Sequence, residues 1–194
     1  MQTPLQIPES SVPRPGTKPM TFLGGPIGAW KVERITPVIG ETLPAVERLD
    51  LQAGFVAPTR HTWAFRGVAG HARYVERRER TLLDATSPPL GRADARTGVF
   101  IPMCKSPQWW ALTQEERRAI FEERSHHIGR CLMYLPAVAR GLYHSRELGE
   151  PFDFFAWFEF ASTHACAFAE LLAELRATEE WRYVDREVEV WVVR

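Results

Sequence analysis

The stretch EERSHHIGRCLMYLPAVARGLYH, residues 122–144, sets His126 and His127 side by side and carries a single arginine, Arg140, in an otherwise apolar run. Imidazole titrates near neutral pH and is the commonest side-chain ligand for transition metals. A guanidinium among apolar residues must find a carboxylate, reach solvent or face an anion, because burying it unpaired is costly. A histidine that ligates and an arginine that holds an anion would together suit a cofactor pocket. Each residue also has a plainer use, the histidine bonded to a backbone carbonyl in the core and the arginine in an ion pair.

Just upstream, KSPQWWAL (105–112) adds Lys105, Trp109 and Trp110. Paired tryptophans pack cores, and they also wall broad, flat ligands.

The elements that position these residues follow from periodicity and caps. Thr113 with Glu116 makes a capping box, so a helix is predicted from Thr113 to about Leu135, where Pro136 kinks or ends it. In that helix His127 lies in line with Ile120, Cys131 and Leu135, while His126 falls with Glu122 and Arg130. His127 should therefore point inward and His126 outward. Arg140, if the helix ran on, would lie roughly 220° round from His127. Phe152–Phe160 alternates as a strand, with Phe152, Phe154, Ala156, Phe158 and Phe160 on one face. Ser162 can cap a second helix with Ala165, Phe168, Leu172 and Leu175 as its stripe, and EVEVWVVR closes the chain as a strand.

In the first half, Trp30–Pro37 and Thr62–Gly67 read as strands and Tyr74–Asp84 as a short helix or a strand leading into one. The prolines of residues 1–20 predict an extended arm. The loop at 87–97 marks a boundary between residues 21–98 and 99–194. Strands followed by alternating strand and helix argue for an α+β fold with a mostly antiparallel sheet.

The 194 residues carry 24 basic and 24 acidic side chains, so the charge needed to hold nucleic acid or an anionic membrane surface is lacking. No apolar run approaches the length of a bilayer span and no signal-peptide core is seen, which predicts a cytoplasmic protein with a small-molecule partner. The three cysteines form no CxxC or CxxCH, and there is no HExxH or GxSxG, which argues against a zinc site, covalent haem or a hydrolase elbow.

The segments KSPQWWALTQEERRAIFEERSHHIGRCLMYLPAVARGLYH, FDFFAWFEF and AELLAELRATEEWRYV closely resemble the chlorite dismutase family, particularly its short-chain branch, and WAFRGVAGHARYVERRE (63–79) does so more weakly. The resemblance implies two ferredoxin-like subdomains of the dimeric α+β barrel type, with a non-covalent haem b in the C-terminal one, in a cytoplasmic homodimer. By the same match His127 is the proximal ligand of the haem iron, and Arg140 is the distal arginine that separates chlorite decomposition from coproheme decarboxylation, whose enzymes carry a neutral residue there and use a reactive tyrosine. The carboxylate that would orient this histidine matches Glu180, with Lys105 beside it. Glu179 and Glu159 remain alternatives. Trp109 and Trp110 match residues at the proximal side and haem edge, and Tyr74 one near a propionate. The implied reaction is decomposition of chlorite to chloride and O2, with O–O bond formation at the haem iron. A coproheme decarboxylase-like enzyme and a non-catalytic haem-binding protein are the alternatives.

The phase of the two histidines is testable by spectroscopy. His127→Ala should bind haem weakly or with an altered Soret band, whereas His126→Ala should leave the haem spectrum intact; the opposite result would reverse the phase.

Overall fold

A computed structural model describes residues 19–70 and 73–194. Residues 1–18 of the expected arm lie outside the described residues, and Met20, placed at its end, already belongs to the first strand. The strands are β1 (Met20–Gly25), β2 (Trp30–Ile39), β3 (Arg48–Ala53), β4 (Trp63–Ala69), β5 (Thr97–Lys105), β6 (Ala139–His144), β7 (Phe154–Phe160) and β8 (Val184–Val193). The helices are α1 (Arg77–Thr86), α2 (Pro107–Ala111), α3 (Gln114–Arg118), α4 (His127–Tyr134) and α5 (Ala165–Arg176).

The strands close into an antiparallel barrel in the order β1-β3-β2-β8-β5-β7-β6-β4, and the fold is α+β. Around the ring, β4-β1-β3-β2 and β8-β5-β7-β6 are each adjacent, so the two halves of the chain repeat one strand order.

Strand alternation sends one side of each strand into the barrel and the other out to the helices. The interior is packed with aromatic side chains, including Phe22, Trp30, Trp63, Phe65, Phe100, Phe155 and Trp157. Phe22 stacks on Phe100 at 4.4 Å and Trp30 meets Trp157 edge-on at 5.1 Å. A barrel filled this way has no room for a ligand inside, so a binding site must form on its outer face.

β7 shows how both faces are used. Phe155 and Trp157 enter the barrel, while Ala156, Phe158 and Phe160 face outward and pack with Phe168, Leu171, Leu172 and Leu175 of α5. The face of Phe155, Trp157 and Glu159 is thus more deeply buried than the outward one, where Phe154, Ala156 and Phe158 are only half-buried. Ser162 opens a short 3-10 turn, Ser162–His164, and α5 begins only at Ala165, without a side-chain cap.

The single helix expected from Thr113 to Leu135 is corrected by the structure. The capping box is present, but α3 passes into a π-helical turn, Ala119–Arg124, and the chain then breaks at His126, whose φ is 52°. α4 starts afresh at His127 and ends at Tyr134, ahead of Pro136. The phase between Ile120 and His127 is therefore not that of one helix, while the phase from His127 to Cys131 lies within α4 and holds. Arg140 is on a strand, not on a continuation of the helix.

Gly98 of β5 points into the barrel, where a Cβ would lie 2.6 Å from the Trp157 ring and 3.0 Å from Val192. Gly98→Ala should overpack the core and lower stability by about 1–3 kcal/mol, read as a lower denaturant midpoint with an unchanged slope.

Candidate functional site

The outer face of β5, β7 and β6 is the floor of a cleft roofed by α4 and α5. Its open space, mouth included, is about 1040 Å³. The period of two places Ile101, Met103 and Lys105 of β5, Phe154, Ala156 and Phe158 of β7, and Arg140, Leu142 and His144 of β6 along this floor. Leu171, Leu172 and Leu175 line it from α5, and Phe121, His127 and Cys131 from the segment around α4. The walls are overwhelmingly apolar, and the charged groups stand out against them.

His127 is the first residue of α4 and stacks on Phe121 with ring centroids 4.3 Å apart. Its Nδ1 lies 2.7 Å from Glu180 Oε2. A carboxylate only accepts, so Nδ1 carries the proton and Nε2 is the nitrogen left to ligate. Lys105 Nζ donates to the other oxygen, Glu180 Oε1, at 2.8 Å, and lies 4.7 Å from the Trp109 ring centroid and 5.4 Å from that of Trp181. Glu180 is 4% exposed, so its charge is held by these partners and not by water. The same segment is stitched to the histidine corner through Glu180 N–H, which donates to Ser125 Oγ at 3.1 Å.

Burial opposes ionisation of Glu180, but Lys105 and His127 more than reverse it and hold the carboxyl down at about 2. Burial likewise opposes the charged form of His127, and the Glu180 carboxylate, with a smaller contribution from Cys131, raises it above the ordinary histidine range. Burial would raise the Cys131 thiol, yet His127 and then Arg140 draw it below the usual cysteine value.

Arg140 enters the same cleft from β6, and among the described residues it makes no hydrogen bond or ion pair. The other arginine on the lining, Arg73, is paired with Glu147 at 3.4 Å. Tyr74 and Trp109 also line the cleft, 5.9 Å apart and edge to face, and Tyr74 Oη and Trp109 Nε1 are buried without a hydrogen-bond partner among the described residues.

The structure thus brings together six of the seven residues singled out in the sequence: His127, Glu180, Lys105, Arg140, Trp109 and Tyr74. Trp110 stands apart. It is stacked on the cleft residue Phe154 at 5.7 Å, donates to Asp153, and lies between the guanidinium groups of Arg117 and Arg146, so it backs the lining without forming it. Of the carboxylates left open, only Glu180 reaches His127. Glu179 pairs with Arg124 at the surface, and Glu159 accepts from Trp157 Nε1 and the Gly91 backbone. Trp181, Tyr143 and His144 were not found by sequence reasoning, although Trp181 lies in the quoted EEWRYV; Cys131 was placed in line with His127 but not singled out for the site.

Among the described residues no three His, Cys, Asp or Glu side chains converge as a metal site. A metal at His127 would have to bring its other ligands with it, as iron in a macrocycle does. The apolar walls, the oriented imidazole and the orphaned donors of Tyr74 and Trp109 fit such a flat, carboxylate-bearing group. No helix among the described residues is long and apolar enough to cross a membrane.

Residues 39–194 match the family model for chlorite dismutase. Over 88 residues, 45% of this chain, the sequence is 35% identical to the chlorite dismutase of Ideonella dechloratans, a match that spans only 29% of that protein. The structure is similar to that of a dimeric chlorite dismutase from Nitrobacter winogradskyi, with a TM-score of 0.84 and 52% identity over 90% of this chain and 99% of that one. It is less similar to a chlorite dismutase from Candidatus Nitrospira defluvii in complex with imidazole, with a TM-score of 0.55 and 26% identity over 74% of this chain and 56% of that one.

Because the folded-state value of Glu180 is depressed from 4.5 to about 2, its contribution to stability is present above about pH 4.5 and is lost as pH falls toward about 2. In the haem-free protein the wild-type denaturant midpoint should fall through that window, and Glu180→Gln should start lower and show a flatter profile there.

Proposed function

Because the chain belongs to the chlorite dismutase family, we propose that it decomposes chlorite to chloride and O2 with a non-covalent haem b ligated by His127. The observation that carries this is the meeting in one apolar cleft of an oriented imidazole and an arginine that has no partner among the described residues. Haem b, when bound, supplies the iron at which chlorite is cleaved and the O–O bond is made.

The chain's own residues account for the rest. Glu180, held anionic by Lys105, accepts from His127 Nδ1–H, fixes the tautomer and makes Nε2 a more basic ligand. Arg140 attracts the chlorite anion into the cleft and offsets its loss of water. Its charge would also keep an anionic fragment of the substrate within the cleft. The leucines of α5 and the phenylalanines of β7 keep water from competing. Trp109 and Tyr74 offer donors to the cofactor's edge, and Trp110 supports them from behind Phe154.

The repeated strand order of the two halves supports reading them as ferredoxin-like subdomains, 21–98 and 99–194, with the haem on the second. We also read the protein as a homodimer, as its Nitrobacter relative is described.

One observation favours a second reading. Tyr74 Oη is a buried phenol on the cleft wall without a partner among the described residues, a feature the sequence did not reveal. A coproheme decarboxylase-like enzyme would use such a tyrosine, and coproheme supplied with peroxide would then lose carboxyl groups to give haem.

Oxygen evolution from chlorite by haem-reconstituted protein, with free haem as control, decides between them. Stoichiometric O2 and chloride above the control are expected, and Arg140→Ala should lower kcat/KM by roughly tenfold to a hundredfold and shorten the enzyme's lifetime through escaped oxidant. No oxygen above the control would overturn the reading.

A further inference from the structure

The start of α4 lacks the residue that normally finishes a helix. Its cap position, His126, is left-handed and makes no side-chain cap bond, so the first N–H groups of the helix need acceptors from elsewhere. They find them on one residue five positions before His127. The Glu122 carboxylate accepts from Ile128 N–H through Oε2 at 2.5 Å and from Gly129 N–H through Oε1 at 3.3 Å. The backbone carbonyl of Glu122 accepts from His126 N–H at 2.9 Å. Glu122 therefore grips the chain immediately before and immediately after His127.

The π-helical turn makes this reach possible. Glu122 lies within Ala119–Arg124, and the wider turn with the left-handed break at His126 folds the helix start back over the Glu122 side chain. The other side of the corner is fixed by Ser125 Oγ, which accepts from Glu180 N–H. With both ends of the segment 125–129 tied, the His127 ring is held with Nδ1 against Glu180.

We propose that Glu122 is a positioning residue for His127: by capping α4 from the preceding π-turn it sets the imidazole against Glu180 and so aims Nε2 into the cleft. It touches neither cofactor nor substrate, and it acts only through the backbone that carries the ligand. The geometric part stands on contacts in the protein alone, and its consequence for the cofactor rests on the haem reading above.

The test is made first on haem-free protein, by NMR exchange of the His127 Nδ1 proton with solvent. Losing both charge-assisted cap bonds in Glu122→Ala should speed that exchange by about tenfold or more. Glu122→Gln keeps the volume and only one acceptor oxygen, and should fall between. Either variant exchanging as slowly as wild type overturns the proposal, even if its melting temperature drops, because the cap would then be structural only. Glu122→Gln alone decides if Glu122→Ala does not fold. In the haem-loaded protein the same order is expected for the rate of haem loss to a scavenger and for a weakened iron–histidine band in resonance Raman spectra. Wild type that takes up no haem would refute the haem reading and leave the exchange measurement to decide the role of Glu122.

Discussion

The site depends on one buried carboxylate. Glu180 is removed from water and keeps its charge only because an ammonium and an imidazole each take one of its oxygens. That requirement fixes much of the surrounding structure. Lys105 must end β5 on the outer face, His127 must begin a helix and not continue one, and the 3-10 turn Glu180–Tyr183 must lie between them. The rings of Trp109 and Trp181 beside the Lys105 ammonium make an environment where a cation can be buried without water.

The barrel makes the arrangement possible by keeping two cores apart. Its interior is closed by aromatic side chains from both halves of the chain. The outer face of β5, β7 and β6 is left to be covered by helices, and there the packing stops short of complete. Large side chains on the inner positions and mixed ones on the outer positions of the same strands separate stability from binding. Cores of this density resist change in volume, so the cleft can hold charges in fixed places without softening the fold.

Much of this was legible in the sequence because the relevant signals are local. The alternation of Phe154–Phe160 and the Thr113 and Glu116 box follow from short-range pattern, whereas Phe152, expected on the outward face, precedes β7 and packs into the barrel interior. What was not legible came from longer range or from departures from regularity. β5 carries Pro102 in its middle, which weakens a strand reading, and its pairing with β7 and β8 decides the matter. The π-turn and the left-handed His126 leave no clear mark in the residues, since a capping box followed by apolar periodicity reads as one helix. Beyond Pro136 the sequence left the element carrying Arg140 open, and only the pairing of β6 with β7 places it on the floor of the cleft that His127 lines. The choice among Glu159, Glu179 and Glu180 was likewise beyond spacing, because all three lie on different surfaces of adjoining elements.

Charge balance links these particulars to the proposed substrate. With His127 neutral, as the proposed iron ligand would be, Lys105 and Glu180 cancel one another at close range. Arg73 is offset by Glu147, and the His144 ring is spent on the Gly70 carbonyl at 3.1 Å. Arg140 then remains as a charge without a counterpart among the described residues, in a cleft whose walls are apolar and screen little. A positive potential in a low-dielectric pocket favours a small anion over a neutral molecule. The charge of the proposed substrate is thus opposite to that of the cleft cation left without a counterpart among the described residues.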